Sequence, residues 1–257
     1  MQASIQPSRD PQVQYVLRLA DTCLILAQRL GEWCGHAPII EEDLALTNVA
    51  LDLIGQARAL LTHAGRMCGQ QFDEDQLAFL RDEPDYRNVT MVELPRGDFA
   101  FTVLRNAMVA TFLKLVWQRL LDSRDAELAA IAAKALKEAR YHQQHAGDWV
   151  VRLGDGTDES RRRMLAALQQ LWRYVPELLE GDAIDAQAAA SGLGPDWSEL
   201  RADWMSEMRQ LLDAAALPLP AEAKFRSSGK RGVHSEHMGH LLAEMQYLQR
   251  AYPGGAW

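Results

Sequence analysis

Four helix-length stretches of this 257-residue chain carry apolar residues at spacings of three and four, and each stripe contains a charged residue. The first reads Leu17, Asp21, Leu24, Gln28. The second reads Leu44, Asn48, Leu51, Asp52, Gly55. The third reads Phe101, Arg105, Met108, Phe112, Leu115, and the fourth Ile131, Ala135, Glu138, His142, His145, Trp149. Asp21, Asp52, Arg105 and Glu138 therefore sit on faces predicted to point inward. Lone buried charges are costly, so these four must meet one another or another neutralising group.

Start and stop signals place helices around the stripes. The pattern predicts helices over Val13 to about Glu32 and Glu41 to about Cys68, then a long connection, 69–97, with Pro84 and Pro95. Asp98 is a capping residue for a helix to about Leu121. After Ser123-Arg124-Asp125 a fourth helix runs to about Leu153. Further helices are expected at 158–180, 197–215 and 236–251, with a loop at 216–235. No run alternates as a strand would, and no repeat is present. Two helices, a crossover and two more helices give the topology of a ferritin-like four-helix bundle. The expected fold is thus all-α and ferritin-like, one domain over 1–257. Its core bundle covers about 13–153 and its C-terminal helical extension about 157–251.

Composition narrows the functional classes. A net charge of −8 argues against a nucleic-acid footprint. No apolar run is read as reaching the roughly 18–20 residues that span a bilayer, and the N-terminus lacks a signal pattern. Cys23, Cys34 and Cys68 are odd in number and scattered, which fits neither a disulfide framework nor a zinc site. A reducing cytoplasm is the expected location.

A carboxylate-bridged di-iron centre in such a bundle needs about four carboxylates and two histidines, two helices each giving Glu-x-x-His. Here the second helix reads Asp52-Leu53-Ile54-Gly55. The third has no Asp, Glu or His between Phe99 and Leu121. The fourth has Glu138 but Tyr141 three residues later. A phenol with a pKa near 10 is a poor ligand for a divalent ion at neutral pH. The set Asp21, Asp52, Gly55, Arg105, Glu138, Tyr141 and His142 thus reads as a degenerate site with no metal. His142, one turn from Glu138, leaves room only for a weak mononuclear site. Arg105 either stands where the metal charge was, paired with Asp21, Asp52 and Glu138, or snorkels to water; the shared alignment of the stripes favours burial.

The stretch from Lys224 to His234 is Gly/Ser-rich and basic. Lys224, Arg226, Lys230, Arg231 and His234 are candidates for contact with a partner or with phosphates such as those of coenzyme A, against the plain alternative of a solvated loop. His234, His237 and His240 open a terminal helix and read as capping and surface polarity. Trp33-Cys34-Gly35-His36 reads as a tight helix-end turn.

Four long strings carry a resemblance. They are Leu30 to Pro38 (LGEWCGHAP), Leu51 to Arg58 (LDLIGQAR), Lys137 to His142 (KEARYH) and Leu242 to Arg250 (LAEMQYLQR). They are similar to the non-catalytic C subunits of bacterial phenylacetyl-CoA epoxidases, the phenylacetate ring 1,2-monooxygenases. The resemblance implies a ferritin-like subunit without metal, catalytic residues or cofactor of its own. It implies a homologous catalytic A subunit carrying di-iron, a small B subunit, and a reductase with flavin and iron–sulfur that draws on NADPH. Two other readings are a self-sufficient di-iron oxygenase with unusual ligands and a ferritin-like iron-binding protein.

Overall fold

Local chemistry sets the ends of the helices in the computed structural model, which describes residues 3–67, 69 and 72–255. Helix α1 (Pro11–Gly31) starts where the Asp10 carboxylate accepts the Gln12 N–H at 2.8 Å and proline takes the first position. Helix α2 (Ile40–Met67) carries Glu41, Glu42 and Asp43 in its first turn, as the helix dipole favours. The crossover holds α3 (Glu74–Phe79), closed by a reciprocal Asp73–Gln76 capping box, and the single turn α4 (Thr90–Glu93). Asp98 caps α5 (Phe99–Leu120), as expected, by accepting the Phe101 N–H. Asp125 caps α6 (Ala126–Gly154). There follow α7 (Asp158–Trp172), α8 (Val175–Leu179), α9 (Ala183–Ser191), α10 (Arg201–Ala214) and α11 (Glu236–Ala251).

The chain is all-α. Among the described residues the only β pairing is an isolated bridge between Ser228 and Val233. The helix expected over 158–180 is broken after Trp172 because Pro176, in the first turn of α8, has no N–H to continue the ladder. Helices α3, α4 and α9 were not expected from the sequence, being too short to show a period. Cys68 lies outside the described residues.

The helices fall into two compact units. The first runs to Pro95 and resumes at Ser227. In it α1 packs along α2, α4 lies on α1, and α11 packs on α3 and α4. The second, Arg96–Arg226, is built on the α5–α6 hairpin, with α7 and α10 against both helices. Helices α2 and α5 are both long and apolar enough to cross a membrane. The apolar window of α5 is 89% buried, which makes it a core helix, whereas that of α2 is only 44% buried.

Aromatic side chains tie the second unit together. The Trp204 indole N–H donates to the Met108 carbonyl at 3.0 Å, and Trp197 meets Phe112 edge-on with centroids 4.8 Å apart. At the end of α6, Gly154 admits the chain following α10: a Cβ there would lie 2.5 Å from the Ala215 carbonyl oxygen. Alanine gains about 1 kcal/mol of helix propensity over glycine. Backbone on the opposite side cannot yield cheaply, and overpacking costs about 1–3 kcal/mol. We expect Gly154→Ala to give no gain and to lose up to about 2 kcal/mol net in denaturant unfolding, against the sign that propensity alone would give.

Candidate functional site

The seven positions that the sequence reads as a degenerate site are distributed over both units, and each unit supplies its own chemistry. In the first, Asp21 is fully buried at the middle of α1. Its carboxylate is saturated. Arg81 Nη1 donates to Oδ2 at 2.9 Å and Arg81 Nη2 donates to Oδ1, a bidentate fork. The Arg87 backbone N–H adds a third bond at 2.8 Å. Arg81 is itself fully buried, with its guanidinium 4.2 Å from the Tyr86 ring centroid. Burial alone would lower the Arg81 pKa, but the Asp21 carboxylate more than offsets this and holds it above the ordinary value. Burial pushes the Tyr86 phenol up, so it stays protonated and donates to the Ala78 carbonyl. The aligned stripes pair Asp21 with Arg105; the structure corrects this. The cation on Asp21 is Arg81, a crossover residue 60 positions away, and no local pattern reports such a contact.

On α2 the stripe read from the sequence is the outer face. Leu44 and Leu51 are 61% and 59% exposed, Gly55 is exposed and Asp52 half-buried. The buried seam is Leu46, Val49, Leu53, Ala57 and Leu60. Because α2 is apolar nearly all round, its period does not choose a face.

In the second unit Arg105 is fully buried, which decides against snorkelling, and its guanidinium lies 5.7 Å from the Phe101 ring centroid. The α6 seam is Leu128, Ala132, Ala135, Ala139, His142, Ala146 and Val150, displaced from the stripe read in the sequence. Glu138 thus lies at the flank, its side chain 19% exposed and 3.7 Å from Lys134. Tyr141, a member of the degenerate-site set, is 52% exposed and stacks on His145 with centroids 6.1 Å apart, so it lies at the surface. His142 is buried.

These residues do not fit a di-iron centre. One carboxylate is occupied by arginine, one position is an exposed glycine and another an exposed phenol, and α5 offers a cation. Among the described residues no group of three or more His, Cys, Asp or Glu side chains is placed to hold a metal ion.

A second polar cluster, which sequence reasoning missed as a unit, joins the crossover to the returning C-terminal segment. Glu93 and His234 have fully buried side chains, with His234 Nδ1 2.8 Å from Glu93 Oε2. Asn88 Nδ2 at 3.0 Å and the Ser235 N–H at 2.5 Å also donate to Glu93, and Arg29 donates twice to its carbonyl. The other ring nitrogen of His234 is 3.2 Å from the Tyr86 carbonyl. Both ring nitrogens therefore face acceptors, the arrangement of an imidazolium. Burial opposes this charge, but the Glu93 hydrogen bond and charge prevail and raise the His234 pKa above its ordinary value. Gly229, whose N–H donates to Thr90 Oγ1, sits where a Cβ would meet the Asn88 carbonyl oxygen at 2.5 Å. Of the five basic-loop candidates, His234 and Lys230 (3% exposed) are corrected from partner contacts to interior residues. Lys224, Arg226 and Arg231 are exposed, and Arg226 pairs with Glu180 at 2.7 Å. Gly35, at φ +77°, forms the tight turn expected after α1.

Two outcomes follow from these clusters. Arg81→Met leaves Asp21 buried and uncompensated, so it should cost about 3–5 kcal/mol by denaturant titration. Adding Asp21→Leu should recover much of that loss, because replacing both partners by apolar groups is often near neutral. The His234 pairing contributes fully below the unfolded value of about 6.5 and is lost as the pH rises through the raised folded value. The stability gap between the native chain and His234→Ala should therefore narrow on going to alkaline pH, measured as Tm against pH.

The sequence profile of the family described as Phenylacetic acid catabolic protein matches residues 1–257. The chain is also 49% identical over 243 residues to the C subunit of the 1,2-phenylacetyl-CoA epoxidase of Escherichia coli (strain K12), covering 95% of this chain and 98% of that protein. With its all-α, ferritin-like fold, this chain belongs to the phenylacetic acid catabolic protein family.

Proposed function

We propose that this chain is the structural, catalytically silent component of a cytoplasmic, multicomponent di-iron monooxygenase that epoxidises the ring of phenylacetyl-CoA in aerobic phenylacetate catabolism. The observation that carries the reading is the 49% identity, over 95% of this chain, to a protein named as the C subunit of that epoxidase. The donor chemistry supports the silent role: Asp21 is held by Arg81, and Gly55 and Tyr141 are exposed. In this reading the iron sits in a homologous catalytic A subunit, and a small B subunit completes the oxygenase. Electrons come from NADPH through a flavin and iron–sulfur reductase. This chain's part is to hold the catalytic subunit in its active shape.

Co-expression with the catalytic subunit, with turnover normalised to assembled complex, tests the reading. Product should form only when both subunits, the reductase and NADPH are present. Glu138→Ala should leave turnover per complex within about twofold, since a partly exposed flank residue paired with Lys134 supplies no ligand. Two tightly held irons in the isolated chain after anaerobic Fe²⁺ loading, or loss of turnover in Glu138→Ala with the partner's iron intact, would overturn it.

A further inference from the structure

Helix α2 has a second apolar face that its own fold leaves uncovered. Ile40 is 72% exposed, and Leu44 and Leu51 lie beside it on the same arc. At about 100° per residue these three fall within a sector of roughly 40°, and Asn48, Gly55 and Arg58 stay close to it. The face runs about 27 Å from Ile40 to Arg58. Isolated surface leucines need no explanation, but three exposed apolar residues aligned on one arc of a helix, interrupted by Asn48, point to an interaction surface.

The stripe is complementary to itself. When two copies of α2 are laid antiparallel about a two-fold axis between Asn48 and Leu51, Leu44 of one faces Gly55 of the other. No atom comes within 4 Å of where a Cβ on Gly55 would stand, so an open notch meets a projecting leucine. The same axis sets exposed Glu41 opposite Arg58, whose side chain is 69% exposed and lies 3.3 Å from Glu74. It also sets Leu51 against Asn48. One axis thus satisfies a knob-and-notch pair, a charge pair and the central contact, each occurring twice, as an isologous interface requires. The heptad-like spacing is that of antiparallel helices packed at about +20°. Flanking charges of both signs within one turn of the stripe suit a protein helix better than a lipid surface.

We propose that α2 is a homodimerisation helix, packing antiparallel against α2 of a second copy of this chain through Leu44, Leu51 and Gly55, with Glu41–Arg58 pairs setting the register. This goes beyond the epoxidase assignment and is measured on the chain alone, so it stands or falls separately from that assignment. One helix pair buries less than a standard interface, which makes the dimer concentration-dependent.

Sedimentation equilibrium of the purified chain tests it. The native chain should dimerise. Leu44→Arg, which removes two buried leucines per dimer, should weaken association about 100-fold. Gly55→Leu should also dissociate the dimer while raising the Tm of the free chain, because a glycine is removed from a helix interior where nothing is touched. That pairing separates lost association from misfolding. Glu41→Arg or Arg58→Glu alone should weaken association about tenfold, through two like-charge contacts, and the double reversal should restore it. A monomeric native chain, a dimer indifferent to Leu44→Arg, or charge reversals without mutual rescue overturns the proposal. So does a stripe whose variants disrupt only assembly with a different protein.

Discussion

The bidentate ion pair between Asp21 and Arg81 is the contact on which the first unit depends. It joins the middle of α1 to a crossover that has little regular structure of its own. With Arg81 fixed, its carbonyl accepts from Gln246 at 3.0 Å and from Arg250 at 2.8 Å, which docks α11. Tyr86, under the guanidinium, accepts from Gln246 at 2.8 Å and donates its own proton to the Ala78 carbonyl. Its backbone carbonyl then meets His234. Many of the polar groups that the crossover buries are thus paired in one connected network that ties α1, the crossover and α11 together.

The second anchor, Glu93 with His234, explains why the C-terminal segment from Ser227 belongs with the first unit although the chain has built the second unit in between. The return loop is held by shape as well as charge. Gly232 adopts φ +82° with the Pro84 carbonyl where a Cβ would be, and Gly229 presses on Asn88 in the same way. A basic, Gly-rich loop that reads as a solvated contact surface is here partly an internal plug.

How far the sequence was legible follows from the kind of signal each feature leaves. Helix limits at Asp98, Ser235 and Gly35 were readable because caps and left-handed turns are local chemistry. The α5 stripe pointed inward as read because nearly all of that helix is buried, so most faces read from it are interior. The seam of α2 was not, since apolar residues on two faces give the same period for the buried and the exposed side. Lys230 and His234 misled for a related reason: composition reports charge, and only pairing with a distant group such as Glu93 reports burial. Asp21 was correctly read as buried, but its partner came from the one segment, 69–97, with no periodicity to interpret.

A carboxylate buried in a helical core can be neutralised by a proton, a metal ion or a cationic side chain. In this chain the third solution is built into the backbone path, with Arg81 of the crossover paired to Asp21 of α1. A metal approaching Asp21 would have to displace Arg81, leaving a fully buried guanidinium without its counter-charge and the Arg87 N–H without its acceptor. The crossover would lose the anchor for α11 in the same step. An imidazole placed at Gly55 or Tyr141 would stand on a face open to solvent. Of the site positions read from the sequence, Asp21 is the one absorbed into the network that holds this unit together, and its carboxylate serves structure there.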